Sequence, residues 1–273
     1  MKIGLSNPFN YTGSKHRYLK DLQEVLPNKQ GSKVCDMFFG GGDLSTHLPL
    51  SWEISGYDTN TQLIDMHKAI MEGSVTVSAV EAMVERAKLN KVDNKAYNDF
   101  RAVYNWARDS LMLYVLTCHS NSNRIRFNSK GEHNMPFGKR TFNDSMKAKL
   151  TDYIKRLSER EVFLYNKSVF DVDLDYYDLL LVDPPYLNSC ATYNEKNGWT
   201  VEDEIKLHLA LHEAHEKGKK FIYFGQVQTN GIVNKYLTKF AEGYNMKVLK
   251  DTTAHCSANK INKGVTIEVM IYN

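Results

Sequence analysis

Val34-Cys35-Asp36-Met37-Phe38-Phe39-Gly40-Gly41-Gly42-Asp43 is a short apolar run that breaks into three consecutive glycines and an acid. A run of this length without helical periodicity reads as a buried strand. Glycines directly after it permit positive φ and let a ligand approach the backbone closely. Trp52–Tyr57 reads as a second strand, and Asp58 at its end stands where a carboxylate can accept hydrogen bonds from ribose hydroxyls. The turn has the pattern G-x-G-x-x-S, which fits a dinucleotide site and an S-adenosylmethionine (AdoMet) site equally. It lacks G-x-x-x-x-G-K-[ST], which argues against a P-loop.

On the N-terminal side, a helix with apolar positions at Tyr18, Leu19, Leu22, Val25 and Leu26 stops at Pro27. On the C-terminal side, a helix over Asn60–Met71 is followed by helical periodicity through Val75–Leu89, Lys95–Ala107 and Ser110–Leu116, with no strand between them. From about Asn121 to Phe137 the pattern changes to short extended pieces around Asn128-Ser129-Lys130-Gly131, which reads as a hairpin. After a helix near Ser145–Leu157, strands are expected at Val162–Tyr165, Asp178–Val182, Lys220–Phe224, Lys247–Leu249 and Val265–Tyr272, with helices at Val201–Glu216 and Gly231–Ala241. Strand–helix alternation at both ends implies the α/β class with a parallel-rich sheet, and the helical middle reads as an inserted second domain.

The chain has 273 residues, 42% hydrophobic and 25% charged. That balance excludes a disordered, collagenous or coiled-coil chain. No segment approaches the ~18 apolar residues of a membrane span, and the first residues hold no secretory apolar run. The four cysteines, Cys35, Cys118, Cys190 and Cys256, have no CxxC spacing. They imply free thiols in a reducing compartment, hence a cytoplasmic protein without a zinc site. The net charge of +3 hides a local surplus. Between Ser120 and Leu150, Arg124, Arg126, Lys130, Lys139, Arg140, Lys147 and Lys149 face only Glu132 and Asp144. Such a cluster is either a solvated face or an anion-binding surface.

Two of the six prolines stand together in Asp183-Pro184-Pro185-Tyr186, directly after the strand Asp178–Val182. Proline ends a strand, stiffens the turn and leaves a carbonyl without an N–H. Asp183 and the Pro184 carbonyl are then fixed acceptors beside the ring of Tyr186. An exocyclic amine on a planar base, with two N–H donors and a π-face, matches that trio. His208, His212 and His215 lie on one predicted helix, but the HExxH order is absent and a polar helix face is the better reading. His119 and His133 flank the hairpin and read as surface residues.

These stretches together resemble the Dam-type DNA adenine N6-methyltransferases over nearly the whole chain, in the order of that family. Asn10-Tyr11-Thr12-Gly13-Ser14-Lys15 looks like its N-terminal AdoMet motif, Phe38–Asp43 like its Gly-rich motif and Asp183–Tyr186 like its catalytic tetrapeptide. Ala191-Thr192-Tyr193 through Trp199-Thr200 resembles the loop that follows. Arg126-Phe127-Asn128 with Gly131 and Pro136-Phe137-Gly138-Lys139-Arg140 resembles the hairpin of its target-recognition domain. Asn121 and Arg124 stand where the family usually carries an aromatic and an apolar wedge.

The resemblance implies a Rossmann-like AdoMet-dependent methyltransferase sheet with an inserted, mostly helical target-recognition domain carrying a β-hairpin. It places the catalytic domain at 1–60 and 156–273 and the recognition domain at 61–155. AdoMet is the expected cofactor, held by Tyr11, Gly13, Lys15, Phe38, Gly40, Gly42, Asp58, Phe170 and Asp183. Asp183, Pro184 and Tyr186 are the expected catalytic residues. Double-stranded DNA is the expected partner, with adenine in GATC the family's usual target. Ser122, Asn123, Arg124, Arg126, Pro136, Lys139 and Arg140 are the expected contacts. Arg126 and Arg140 are candidates for guanine readout, since a guanidinium can bond O6 and N7 together. No metal, membrane or obligate protein partner is expected.

RNA adenine N6-methylation and DNA cytosine N4-methylation are the nearest alternatives, and the acidic Asp183 favours adenine in DNA over both. A catalytically silent DNA-binding protein would leave the intact Asp-Pro-Pro-Tyr unused. An NAD-linked dehydrogenase would leave both it and the basic hairpin unexplained.

Overall fold

The structure, a computed structural model, describes residues 3–187, 198–253 and 264–273. In chain order the elements are α1 (Leu19–Val25), β1 (Lys33–Asp36), β2 (Glu53–Asp58), α2 (Thr61–Met71), α3 (Val77–Arg86), α4 (Asn94–Ala107), α5 (Ser110–His119) and α6 (Asp144–Ser158). They continue with β3 (Val162–Asn166), β4 (Leu179–Val182), α7 (Val201–Glu216), β5 (Lys220–Thr229), β6 (Ile232–Val233), α8 (Lys235–Ala241), β7 (Asn245–Thr253) and β8 (Val265–Tyr272).

One mixed sheet runs in the order β3-β2-β1-β4-β5-β8-β7, with the short β6 on β5. The first five strands are parallel, whereas β8 is antiparallel to both neighbours. β4 reads as a continuous apolar run because helices cover both its faces, and all four of its residues are fully buried. Side chains alternate between two cores. Val34, Leu179, Leu181, Ile222 and Met270 pack with Leu19 and Leu22 of α1 on one face. Cys35, Leu180, Val182, Phe221, Val269 and Ile271 pack with Leu207 and Leu211 of α7 and Leu237 of α8 on the other. A third cluster joins α2–α6 to Ile54 of β2 and to Val162 and Leu164 of β3.

Strand order reverses between β1 and β4. Connections leave these two strands toward opposite sides, which opens a crevice at their carboxyl ends. The Gly-rich turn follows β1 there, and Asp183–Tyr186 follows β4.

Several expected boundaries move. The Gly-rich turn leads only to a 3-10 turn at Ser45–His47, because Pro49 forbids a longer helix. β5 runs on to Thr229, and the helix expected from Gly231 starts at Lys235, with the Asn234 side chain capping Leu237 N. The hairpin expected over 121–137 has no ladder. It is held by two isolated bridges, Ser120↔Phe137 and Phe127↔His133. The Asn128 side chain closes its tip by accepting from the Lys130 and Glu132 N–H groups. His119 and His133 are not at the surface: both are buried. His208 is not part of a polar face either, for its ring stacks on Phe240 at 4.3 Å. Cys35 and Cys118 are buried free thiols. Cys190, Cys256 and the loop residues Ala191, Thr192 and Tyr193 lie outside the described residues. Among those described, no helix is long and apolar enough to cross a membrane, and no three His, Cys, Asp or Glu residues are grouped to hold a metal.

Candidate active site

The turn after β1 is fixed by backbone bonds before any ligand is considered. Phe39 N donates to Tyr57 O at 2.8 Å and Gly42 N to Phe39 O at 2.7 Å. Asp58 accepts from Gly40 N at 3.0 Å and from Asn60 N at 2.8 Å, tying the ends of β1 and β2 together. Gly42 has φ +72°, and a Cβ there would meet the Phe39 ring and the Tyr153 hydroxyl at 2.8 Å, so no side chain fits. Asp43 clamps the N-terminal segment over the turn by accepting from Asn7 N, Asn7 Nδ2 and the Ser14 hydroxyl.

That clamp delivers Lys15 to the end of β4. Its ammonium is buried, donates to Gly13 O at 2.6 Å and pairs with Asp183 Oδ2 at 2.9 Å. Tyr186 stands on the other side of Asp183, its hydroxyl 3.2 Å from Asp183 Oδ1 and 3.3 Å from Glu268 Oε1. Lys15 Nζ lies 5.1 Å from the Tyr186 ring centroid. Glu268, on β8, also accepts from the Tyr18 hydroxyl at 2.6 Å and from Arg17 at 2.7 Å.

Burial raises the pKa of Asp183 above the usual carboxylate range. Lys15 opposes this rise and Glu268 adds to it. Burial also lifts Asp36, at the end of β1, to about 7, helped by Asp183 nearby. Asp58 is raised by burial as well, with the N–H groups of Asn60 and Gly40 pulling the other way.

Every expected cofactor residue (Tyr11, Gly13, Lys15, Phe38, Gly40, Gly42, Asp58, Phe170 and Asp183) lines one cavity of about 1500 Å³, as do Pro184 and Tyr186. Trp199 joins them. Its ring meets Phe38 edge-on at 5.5 Å and lies nearly parallel to Phe170 at 6.2 Å. Aromatic faces beside a backbone-anchored carboxylate fit the base and ribose of a nucleoside such as AdoMet. The volume exceeds the ~300–1,000 Å³ typical of single-ligand pockets, so a second planar group has room.

The expected DNA contacts lie outside the cavity wall, but the segment that carries them borders it. Phe127–Gly131 line the cavity, and Gly131 O accepts from Gln62 and from Arg108. Arg124, Pro136, Lys139 and Arg140 are exposed. The Arg126 guanidinium is engaged with Asn134, at 2.7 Å to Oδ1 and 2.9 Å to the backbone oxygen. Ser122 and Asn123 dock on the N-terminal motif: Asn10 Nδ2 donates to Ser122 O at 2.9 Å, and Asn10 N to Asn123 O at 3.3 Å. Ser122, Asn123 and Lys139 all hold left-handed backbone at φ +57°, +53° and +52°. Non-glycine residues are strained there, and such residues cluster at functional sites.

Sequence reasoning passed over Glu268, Asp36 and the clamping role of Asp43, and named Trp199 only as part of a loop, with no role at the cofactor site. A signal existed for Glu268, the one charged residue in the strand Val265–Tyr272.

The family model for D12 class N6 adenine-specific DNA methyltransferases matches residues 11–254. The chain is 31% identical over 281 residues to the type II methyltransferase M.FokI of Planomicrobium okeanokoites, across 98% of this chain and 43% of that one. It is 27% identical over 282 residues to the modification methylase StsI of Streptococcus sanguinis, with coverage of 98% and 43%. It is also 27% identical over 209 residues to the DNA adenine methylase of Escherichia coli K12, across 72% of each chain. The chain thus spans under half the length of the first two relatives.

Proposed function

The chain belongs to the D12 class N6 adenine-specific DNA methyltransferases, an AdoMet-dependent family, and from that membership we propose that it methylates the N6 amino group of an adenine drawn out of duplex DNA. The observation that carries this reading is the convergence of Lys15, Asp183 and Tyr186 on a cavity shared by the Gly-rich turn and by residues 127–131, which belong to the basic stretch 120–150.

Asp183 and the Pro184 carbonyl accept the two amino hydrogens. An adenine amino nitrogen is a poor nucleophile because its lone pair is delocalised into the ring. Two fixed acceptors favour a pyramidal nitrogen with a localised pair, and in a dry cavity such preorganised charge acts strongly. Lys15 favours the ionised, accepting form of Asp183 and so opposes the effect of burial. The Tyr186 ring offsets part of the few kcal/mol needed to take a base out of its stack. Tyr11, Gly13, Phe38, Gly40, Gly42, Asp58 and Phe170 would hold AdoMet, which would supply an electrophilic methyl group and leave as the neutral thioether; the methylated nitrogen then has one proton to lose.

Residues 61–155 serve as the target-recognition part and 1–60 with 156–273 as the catalytic part. Ser122, Asn123, Arg124, Pro136, Lys139 and Arg140 meet the duplex, and Arg126 joins them on leaving Asn134. GATC is the first sequence to test, and the free thiols of Cys35 and Cys118 support a cytoplasmic location. The deciding experiment supplies labelled AdoMet with GATC duplexes, other adenine-containing duplexes and RNA, then maps the labelled base. Label on adenine N6 in duplex DNA is expected. Label confined to RNA or to cytosine overturns the reading.

A further inference from the structure

Glu268 enters the site from β8, and the strand pairing around it is irregular on both flanks. Against β5, Glu268 pairs with Gln226 while the next residue, Ile267, pairs with Gln228. Against β7, Val269 pairs with Val248 while Glu268 pairs with Lys250. A bulge in each neighbouring strand therefore falls at this residue. Bulges re-aim side chains and are enriched beside active sites. The aimed carboxylate is buried, a costly placement unless its lone pairs are used. They are: Oε2 accepts from Tyr18 and Arg17, and Oε1 faces Tyr186 at 3.3 Å and Lys15 at 3.8 Å.

The Tyr186 hydroxyl has a single proton and two carboxylate acceptors at nearly equal distance, Asp183 Oδ1 and Glu268 Oε1. Oδ2 of Asp183 is already occupied by Lys15. Oδ1 is the atom left to receive an amino hydrogen, and it is the stronger acceptor when Tyr186 donates elsewhere, since both its lone pairs are then available. We propose that Glu268 is a positioning residue that draws the Tyr186 hydroxyl away from Asp183 and shares the Lys15 ammonium, leaving Asp183 Oδ1 open to the substrate amine. This rests on the adenine-methylation reading above.

Asp183 is faced by Lys15 from the N-terminal segment, Glu268 from β8, Tyr186 from its own turn, Asp36 from β1 and Tyr223 from β5. Of these, the Glu268 carboxylate adds its negative charge to the effect of burial and raises the pKa of Asp183 further. Removing that charge lowers the pKa of Asp183, so the acid limb of activity moves to lower pH.

The test measures single-turnover methyl transfer to a duplex adenine from acid to alkaline pH, with AdoMet affinity as a control on folding. Glu268→Gln is expected to slow transfer about 10- to 100-fold, the worth of one hydrogen bond to a charged group. Its AdoMet affinity is retained and its acid limb shifts downward. Glu268→Asp keeps the charge but withdraws it by one methylene, so transfer slows while the acid limb stays in place. In a Tyr186→Phe background, which has no hydroxyl to redirect, Glu268→Gln slows transfer by much less than in the wild-type background. A Gln variant with wild-type rate and an unmoved acid limb overturns the inference, as does an equal slowing in both backgrounds. Should the Gln variant fail to bind AdoMet, an Asp variant with wild-type rate overturns it alone. A wild-type chain that methylates no adenine overturns the underlying reading instead, and this inference with it.

Discussion

Asp183 carries three obligations at once: it neutralises a buried ammonium, borders the Tyr186 hydroxyl and offers an acceptor to the cavity. Replacing it with alanine is expected to lower methyl transfer by about 100-fold or more, the scale seen when one preorganised electrostatic group is removed. AdoMet binding survives at least in part, because Asp58 and the Gly-rich turn are untouched. Labelled-methyl transfer beside equilibrium binding checks both halves, and normal turnover would sink the mechanism. Lys15, Gly40, Gly42, Asp58 and Asp183 are legible in the sequence because each sits in a short motif whose spacing reflects one turn of backbone. Glu268 shows in the sequence only as a lone acid on a strand, with no spacing to say what it meets. Only the pairing of β8 with β5 shows what it touches.

His67, on α2, shows how an element is tied to the turn it supports. Its Nε2 bonds Gly40 O at 2.9 Å, and its Nδ1 faces the Tyr153 hydroxyl at 2.8 Å. Burial lowers its pKa from 6.5 to about 4. The neutral ring therefore adds stability that is present above pH 6.5 and lost as pH falls through about 4. His67→Asn is expected to melt below the wild type at pH 7, with the gap closing toward pH 4. Thermal melts of both proteins across that range test it, and a gap that does not change with pH counts against it.

A second link of this kind holds the segment 121–140 to α5. Gly138 N donates to His119 O at 2.9 Å, and a Cβ on Gly138 would lie 2.2 Å from Ser120 O. Gly138→Ala is expected to weaken DNA binding about tenfold or more, since the clash displaces backbone and costs on the order of 1–3 kcal/mol. AdoMet affinity is kept, and paired binding measurements on the two ligands decide it. Periodicity located α2–α7 well because long amphipathic runs repeat. It failed at residues 121–137, where the fold rests on side-chain clasps such as Asn128 and Asn123 that leave no period, and at Gly231, where the β5–β6 turn precedes the true cap.

For the molecule as a whole, the net charge of +3 understates how positive charge is deployed. Lys147 is spent on Glu81 at 2.7 Å, while Arg124, Lys130, Lys139 and Arg140 remain exposed. With about four phosphate contacts, the logarithm of DNA affinity is expected to fall with the logarithm of salt at a slope near −4, and Lys139→Glu should flatten it by about one unit. Binding titrations at several salt concentrations measure that slope, and a value near zero would remove the basic segment from the interface.

The antiparallel placement of β8 between β5 and β7 also sets an order in time. β8 follows every other described element in the chain, yet it lies inside the sheet and carries Glu268. During synthesis, which proceeds from the N-terminus, the Gly-rich turn, Lys15 and Asp183 are all made before the strand that completes their surroundings. The nascent sheet must hold β5 open until β8 arrives, so the surroundings of Lys15 and Asp183 are completed only with the last described strand.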